Sequence, residues 1–251
     1  MKSETEWFED DTFWLSFAPF MFSERQWGAA EAEISETVSL LGLKKGDSVC
    51  DLCCGVGRHS VELAKHGLTV TGVDRTTQFL EAAAETAESN EVSVQFVQAD
   101  IRDYVDKERY DAIINMFTSF GYFESPAEEL QSLGNMYSSL KRGGKLLIEL
   151  MGKEVLARIF QPTEWYEQDG TFVLMQRRII EDWSKIQNRW ILLKGGQKTD
   201  FTFTHRIYSA RELMELLEEI GFFNVRCYGD LKGNMYDQQS ERLVVVGEKR
   251  P

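Results

Sequence analysis

Apolar residues along this chain follow two patterns, short consecutive runs and repeats at every third or fourth position. The runs predict buried strands at 48–52, 69–73, 94–97, 112–116 and 145–150. The repeats predict helices between the strands, at 77–90 and 126–140 for example, and one helix before them that begins at residue 24. Because such alternation is typical of right-handed crossovers, the pattern predicts an α/β fold with a doubly wound, Rossmann-like and mostly parallel sheet.

The pattern changes after residue 151. Three β-rich runs at 171–180, 186–193 and 199–208 are joined by turns, which predicts an antiparallel β insertion after the fifth strand. Ser209 and Glu212 form the sequence pattern of a capping box, and Gly221 is placed to end the helix that follows. Two last runs, at 224–228 and 242–247, are expected to complete the main sheet.

Charge and composition exclude several classes of protein. The chain has 28 Lys and Arg against 41 Asp and Glu, a net charge of −13, which disfavours binding to nucleic acid or to an anionic membrane surface. The sequence contains no apolar run long enough to span a membrane and no secretory signal. The 4 cysteines lack the spacing of a disulfide framework, so we expect a cytoplasmic protein.

The strand at 48–52 runs directly into a glycine turn and then a helix, in the sequence Asp51-Leu52-Cys53-Cys54-Gly55-Val56-Gly57. Small residues at such a turn let a ligand reach backbone N–H groups at the helix N-terminus, which is typical of nucleotide cofactor sites. A dinucleotide loop has a third glycine where this chain has Ser60, and the Asp51 carboxylate would repel a pyrophosphate. A cofactor with positive charge and no phosphate fits the loop better.

Two further carboxylates follow the next two strands. Asp74 ends the second strand, where a carboxylate can accept hydrogen bonds from both hydroxyls of a ribose. Asp100 follows the third strand, where it can accept from an adenine amine while the neighbouring Ile101 covers the ring. The sequence therefore predicts a site that binds the ribose and base of a nucleoside.

Together these segments resemble the class I S-adenosylmethionine-dependent methyltransferases over about residues 40 to 150. The matching segments are 51–57, Val73-Asp74, Ala99-Asp100-Ile101, 110–115 and Gly143-Gly144. The resemblance implies S-adenosylmethionine as cofactor and S-adenosylhomocysteine as product. The cofactor-binding residues that it implies are Asp51, Cys53, Gly55, Gly57, Asp74, Arg75, Asp100, Ile101, Asn115 and Phe117.

Two departures from the family pattern are informative. Cys53 stands where the family most often has its first glycine, which leaves the cofactor less room. The segment Asn115-Met116-Phe117-Thr118 lacks the Asn-Pro-Pro-Tyr type sequence of methyltransferases that modify amino groups of nucleic acids. The second departure again favours a small-molecule acceptor.

A general base is needed only where the acceptor must lose a proton before attack. His205 is the candidate catalytic residue, because it alternates with Phe201 and Phe203 on one strand face and would lie in an apolar acceptor pocket if that face meets the cofactor. A packed, structural histidine is the competing interpretation. Tyr122, Tyr208 and Tyr236 are further candidates, and no metal site is expected from the spacing of Cys50, Cys53 and the three histidines.

We therefore predict an enzyme that methylates a small molecule. The alternatives are an NAD-linked oxidoreductase and a binding protein that holds the cofactor without transferring methyl. The predicted units are an N-terminal aromatic segment and helix (1–39), a cofactor-binding core (40–150), the β insertion (151–208) and a C-terminal helix with two strands (209–251). The N-terminal segment is expected either to pack simply as core or to cover the acceptor as a lid, and the sequence carries no signal for an oligomeric state.

Overall fold

The computed structural model describes residues 6–251, so the first five residues of the predicted N-terminal unit lie outside the described part of the chain. After a short 3-10 helix at Trp7–Glu9, the helices are α1 (Asp11–Met21), α2 (Glu24–Leu41), α3 (Arg58–Lys65), α4 (Thr77–Ser89), α5 (Pro126–Ser139), α6 (Lys153–Ile159) and α7 (Ala210–Ile220). The strands are β1 (Ser48–Leu52), β2 (Thr69–Asp74), β3 (Val94–Gln98), β4 (Tyr110–Asn115), β5 (Leu140–Leu150), β6 (Thr163–Gln168), β7 (Thr171–Ile180), β8 (Lys185–Lys194), β9 (Gln197–Arg206), β10 (Phe223–Tyr228) and β11 (Leu243–Glu248).

The main sheet has seven strands in the order β10-β11-β5-β4-β1-β2-β3. The pairs among β1 to β5 are parallel, whereas β11 pairs antiparallel with both β5 and β10. This is the predicted Rossmann-like, mostly parallel sheet. The last strand in sequence lies inside the sheet, between β5 and β10.

Helices cover both faces of this sheet because successive strand residues point to opposite sides. Cys50 and Ile113 pack with residues of α5 and α7 such as Leu133 and Leu217. Their sequence neighbours, among them Val49 and Ala112, pack with α2 and α3. Continuous apolar runs are what a sheet buried on both faces requires.

The insertion after β5 forms a separate antiparallel sheet in the order β6-β7-β8-β9. The sequence pattern predicted three of these strands but not β6, whose residues are mostly exposed and include Trp165 at 67% exposure. The pattern also missed the short helix α6. Both elements lack the buried periodicity on which the prediction depended.

Helix α1 packs against the second sheet. Its Phe13 and Phe17 are buried against Val173, Leu192 and Phe203. This contact places the aromatic N-terminal segment beside the insertion, and both lie over the carboxyl ends of the main parallel strands. Among residues 6–251, no helix combines the length and apolar character needed to cross a bilayer.

Candidate functional site

A cavity of about 290 Å³ lies between the carboxyl ends of the main strands and the second sheet. Open α/β sheets bind ligands at this edge, because the loops that follow parallel strands meet there. One end of the cavity is lined by the predicted cofactor segments, and the other end by aromatic residues of the N-terminal segment and of β8 and β9.

The three carboxylates predicted from the strand ends all line this one cavity. Asp51, in β1, is only 2% exposed, and the Ser60 hydroxyl donates to its Oδ2 at 2.6 Å. Burial raises the pKa of Asp51, although the charge of His59 and the hydrogen bond from Ser60 act against this. Ser60 therefore supports the carboxylate at the position where a dinucleotide loop has its third glycine.

Asp74 connects the end of β2 to the glycine turn. Its Oδ2 accepts from the Gly55 backbone N–H and its Oδ1 from that of Thr76, both at 2.9 Å. Burial raises the pKa of Asp74, and these backbone hydrogen bonds oppose the rise. Since each carboxylate oxygen has a second lone pair, the side chain can still accept hydrogen bonds from a ligand.

Asp100 is held by a two-point contact with Arg102. The Arg102 Nε lies 3.0 Å from Oδ1 and its Nη2 lies 2.7 Å from Oδ2. Burial alone would raise the pKa of Asp100, but the hydrogen bonds and charge of Arg102 hold the pKa below its ordinary value. The same guanidinium contacts Glu9 at 2.7 Å and Glu128 at 3.1 Å, so it connects Asp100 to the N-terminal segment. Arg102 is not among the site residues predicted from the sequence.

The two glycines of the turn leave no room for a side chain, and a different neighbour fills the space at each. A Cβ on Gly55 would lie 2.9 Å from the Phe22 ring, which closes over the turn from the N-terminal segment. A Cβ on Gly57 would lie 2.8 Å from the Ala83 Cβ, so this glycine lets α3 approach α4. Gly57 does not line the cavity, whereas Gly55 and Cys53 do.

Cys53 has φ of 61°, in the left-handed region that favours glycine. We expect Cys53→Gly to change the free energy of unfolding by less than about 1 kcal/mol, since relieved strain and added flexibility of the unfolded chain oppose each other. We expect Cys53→Val to destabilise the fold by about 2 kcal/mol, because a β-branched residue is strained at this φ. Chemical denaturation measures both.

The control for this comparison is Cys227→Val in β10, where extended backbone accepts valine and the change should stay within about 1 kcal/mol. Equal stabilities of the Cys53→Gly and Cys53→Val variants would contradict the strain at Cys53.

Arg75 also lines the cavity, but its guanidinium points to the N-terminal segment. Its Nη1 donates to the Phe8 carbonyl and to Asp11 Oδ1, each at 3.1 Å. Together Arg75 and Arg102 tie residues 8–11 to the cofactor end of the cavity.

The two predicted residues at the end of β4 have different positions. Phe117 lines the cavity, and both it and Thr118 have positive φ, of 60° and 58°. Strained backbone of this kind is common at functional sites. Asn115 is fully buried outside the lining, where its Nδ2 donates to the Leu52 carbonyl at 3.1 Å and joins β4 to β1.

A buried ion cluster supports the wall beside Phe117. The Nη1 of Arg58 lies 2.5 Å and the Nε2 of His59 lies 2.8 Å from Oε2 of Glu33, while the Arg58 guanidinium covers the Phe117 ring at 5.1 Å. Burial alone would raise the pKa of Glu33, but the hydrogen bond from His59 and the charge of Arg58 lower it to about 2. The position of Glu33, on a distant helix, gave no sequence signal for this cluster.

The other end of the cavity is an aromatic chamber, lined by Trp7, Trp14, Tyr122, Trp190 and Phe203. Ring centroids lie 4.7 Å apart for Trp7 and Phe203 and 4.8 Å apart for Trp7 and Tyr122. Asn188, only 4% exposed, is a polar residue of this chamber. Asn188 and Trp190 alternate with Ile186 on β8, so their shared face could have been predicted from the sequence.

His205 lines the aromatic chamber, with its ring centroid 6.0 Å from that of Tyr122. Its Nδ1 lies 3.0 Å from the Arg206 carbonyl oxygen. Since a carbonyl can only accept, Nδ1 carries the proton and Nε2 has a free lone pair. Burial lowers the pKa of His205.

The three candidate tyrosines differ in whether they line the cavity. Tyr122 is in the chamber and donates to the Thr118 carbonyl at 2.8 Å. Tyr208 donates to the buried Glu129, and Tyr236 to Glu154 at 3.0 Å, and neither residue lines the cavity.

The donor set fits a nucleoside cofactor that carries positive charge and no phosphate. Within residues 6–251, three carboxylates line the cavity, and the two lining arginines are each paired with a carboxylate, Arg58 with Glu33 and Arg75 with Asp11. A pyrophosphate would need cations or free N–H groups here. The Gly55 N–H, which could serve a phosphate, already donates to Asp74.

Comparison with known proteins gives the same result. Residues 49–144 match a family model described as a methyltransferase domain. The chain is 26% identical to the Bacillus subtilis (strain 168) protein YqeM, which carries the name of a methyltransferase, over 80% of this chain and 83% of that protein. It is also 26% identical to the glycine/sarcosine N-methyltransferase of Aphanothece halophytica, over 80% of this chain and 76% of that protein.

Among solved structures, an S-adenosylmethionine-dependent methyltransferase from Clostridium acetobutylicum ATCC 824 has the same fold. The TM-score is 0.77 at 15% identity, covering 96% of this chain and 99% of that one. The ordered motifs, the fold and the sequence relatives agree: residues 49–144 match a methyltransferase domain, and the chain has the fold of a solved S-adenosylmethionine-dependent methyltransferase.

Proposed function

We propose that the carboxylate end of the cavity holds S-adenosylmethionine and that the aromatic chamber holds a small-molecule acceptor. In this proposal Asp74 accepts from the ribose hydroxyls, Asp100 and Ile101 contact adenine, and Asp51, Cys53 and Gly55 surround the methionine part. The convergence of the three carboxylates on one cavity that continues into the chamber is the observation that supports the proposal most.

Phe117 and Arg75 have contributing roles in this proposal. Phe117 forms a wall of the cofactor end, and Arg75 holds the N-terminal segment over it through Asp11. Gly57 and Asn115 act through the packing and strand contacts described above.

The acceptor is small because the chamber is enclosed by α1 on one side and by β8 and β9 on the other. A net charge of −13 disfavours nucleic acid as a substrate. The cysteine usage favours a cytoplasmic location for this chemistry.

S-adenosylmethionine supplies a methyl group on a positively charged sulfur. The chain contributes alignment of the acceptor and exclusion of water, which the aromatic walls and the N-terminal segment provide. Asp51 and Asp74 place negative charge at the cofactor end. His205 presents its Nε2 lone pair to the chamber, where it can take the proton that the acceptor loses.

Titration calorimetry with S-adenosylmethionine and with NAD tests the cofactor assignment. We expect saturable binding of the first and none of the second, and the reverse would overturn the proposal. Mass spectrometry of a metabolite mixture incubated with the protein and S-adenosylmethionine then identifies the acceptor as the compound that gains a methyl group. Cofactor binding with no methylated product would support the non-catalytic alternative.

His205→Gln is expected to lower kcat on that acceptor on the order of 100-fold, because glutamine cannot take up a proton. The Kd for S-adenosylmethionine should not change. The matched control is His66→Gln, since His66 is exposed near the end of α3. Unchanged turnover in His205→Gln would show that this histidine is structural.

A further inference from the structure

We infer that the acceptor is an amine without a carboxylate or phosphate group, bound by aromatic faces and oriented by Asn188. This inference rests on the proposed function, because it concerns the acceptor end of the same cavity. The charges, the aromatic walls and the available bases each contribute to it.

An anionic acceptor would meet no unpaired arginine or lysine among the described residues that line this cavity. The two arginines that line it are Arg58 and Arg75, and each has a carboxylate partner, at 2.5 Å for Glu33 and 3.1 Å for Asp11. An acceptor carboxylate would lose its hydration without gaining an unpaired charge, which is costly in a desolvated site. The carboxylates at the cofactor end add a repulsive field.

The aromatic faces favour an ammonium or amine group. Trp7, Trp14 and Tyr122 are mutual neighbours, with centroid distances of 5.7 Å for the two tryptophans and 6.1 Å for Trp14 and Tyr122. Faces of tryptophan and tyrosine attract cations through the ring quadrupole, most strongly where water is excluded. These walls attract the ammonium form of the acceptor and offer apolar surface to its carbon skeleton.

The bases in the chamber are too weak to generate an alkoxide. Burial lowers the pKa of His205, so this imidazole is a poorer base than a free one. The Tyr122 hydroxyl is committed to the Thr118 carbonyl, and burial raises its pKa. An alcohol would need a stronger base, whereas a neutral amine already carries the lone pair that attacks.

The step balances without any further reactant. The bound ammonium first gives one proton to water by way of His205 Nε2. The freed nitrogen lone pair then forms the new N–C bond while the C–S bond breaks and leaves its electron pair on sulfur, and the product leaves as the methylated ammonium. No oxidant or metal enters.

Asn188 is the orienting group. It lies at a cross-strand pair with Phe203, is 4% exposed and lines the cavity. Two residues further along β8, Trp190 Nε1 is buried without a hydrogen-bond partner among residues 6–251. A buried N–H without a protein partner costs free energy unless a ligand accepts its hydrogen bond. We assign the hydrogen bonds to Trp190 Nε1 and to the Asn188 amide to a hydroxyl or amine group of the acceptor.

Matched probes test the inference. Tyramine and tryptamine are titrated by calorimetry into the full chain saturated with S-adenosylhomocysteine, against tyrosine and tryptophan, which differ only by the carboxylate. We expect the amines to bind at least about tenfold more tightly. Equal or tighter binding of the amino acids, or no binding of either set, would overturn the inference. Failure of S-adenosylhomocysteine itself to bind would instead overturn the proposed function.

Two variants and one label sharpen this result. Asp11→Asn removes the counter-charge of Arg75, so the ratio of tyrosine Kd to tyramine Kd should become smaller. Asn188→Leu should weaken amine binding without changing the affinity for the cofactor. S-adenosylmethionine with a deuterated methyl group shows the attacked atom in product fragments. Label on oxygen, or on a compound that carries a carboxylate, would contradict the inference.

Discussion

Asp74→Asn is expected to weaken binding of S-adenosylmethionine on the order of 100-fold, the largest effect on cofactor affinity of any single change at the site. The carboxylate accepts from the N–H groups of Gly55 and Thr76. Asparagine retains one acceptor, and its NH₂ group must then face one of these donors. The ribose also loses a charged acceptor. Calorimetry with S-adenosylmethionine and S-adenosylhomocysteine measures the loss.

The matched control is Asp169→Asn, since Asp169 is exposed in the turn between β6 and β7 and asparagine tolerates its positive φ of 50°. Affinity in Asp74→Asn equal to that of the control would exclude Asp74 from cofactor binding. Circular dichroism at the same protein concentration separates lost affinity from lost folding.

Glu33→Gln is expected to lower the free energy of unfolding by about 3 kcal/mol at pH 7, because it leaves a buried guanidinium without its counter-charge. Arg58 is only 4% exposed and His59 6%. The Glu33 pKa of about 2 lies below its ordinary value of 4.5. The contribution of Glu33 is therefore complete above pH 4.5 and is lost as the pH falls towards 2. Urea denaturation of both proteins at several pH values measures the difference.

Glu31→Gln is the matched control, because Glu31 is exposed on the same helix and should change stability by less than about 0.5 kcal/mol. A difference between wild type and Glu33→Gln that stays constant from pH 7 to the acid limit would contradict the ionised role of Glu33.

Much of the fold could be predicted because a sheet buried on both faces has an unmistakable apolar signature. The strand predicted at 48–52 is β1, and the run predicted at 171–180 is β7. The fifth strand begins at Leu140, five residues before the prediction of 145. Leu140 pairs with Tyr110, and the polar or small residues Lys141 to Gly144 lie at the register shift before Lys145 pairs with Ala112, so they carry no apolar pattern. Strand β6 lies at the exposed edge of its sheet, where no apolar pattern is required.

The site residues that could be predicted are those located at the carboxyl ends of strands. Topology alone brings Asp51, Asp74 and Asp100 to one edge, so their meeting in one cavity is a consequence of strand order. The ion pairs around the site could not be predicted, because tertiary packing brings Glu9 and Glu128 to Arg102 and brings Glu33 to Arg58. The packing of α1 against the second sheet depends in the same way on contacts between distant segments.

Strand β11 is synthesised after β5 and β10 yet lies between them, which has a consequence for folding during synthesis. Until residues 243–248 leave the ribosome, the edge of β5 stays open and β10 has no neighbour. An open edge of this kind is a template for aggregation. We therefore expect a chain truncated before residue 243 to expose this open edge and to aggregate, rather than to fold as a slightly shortened enzyme.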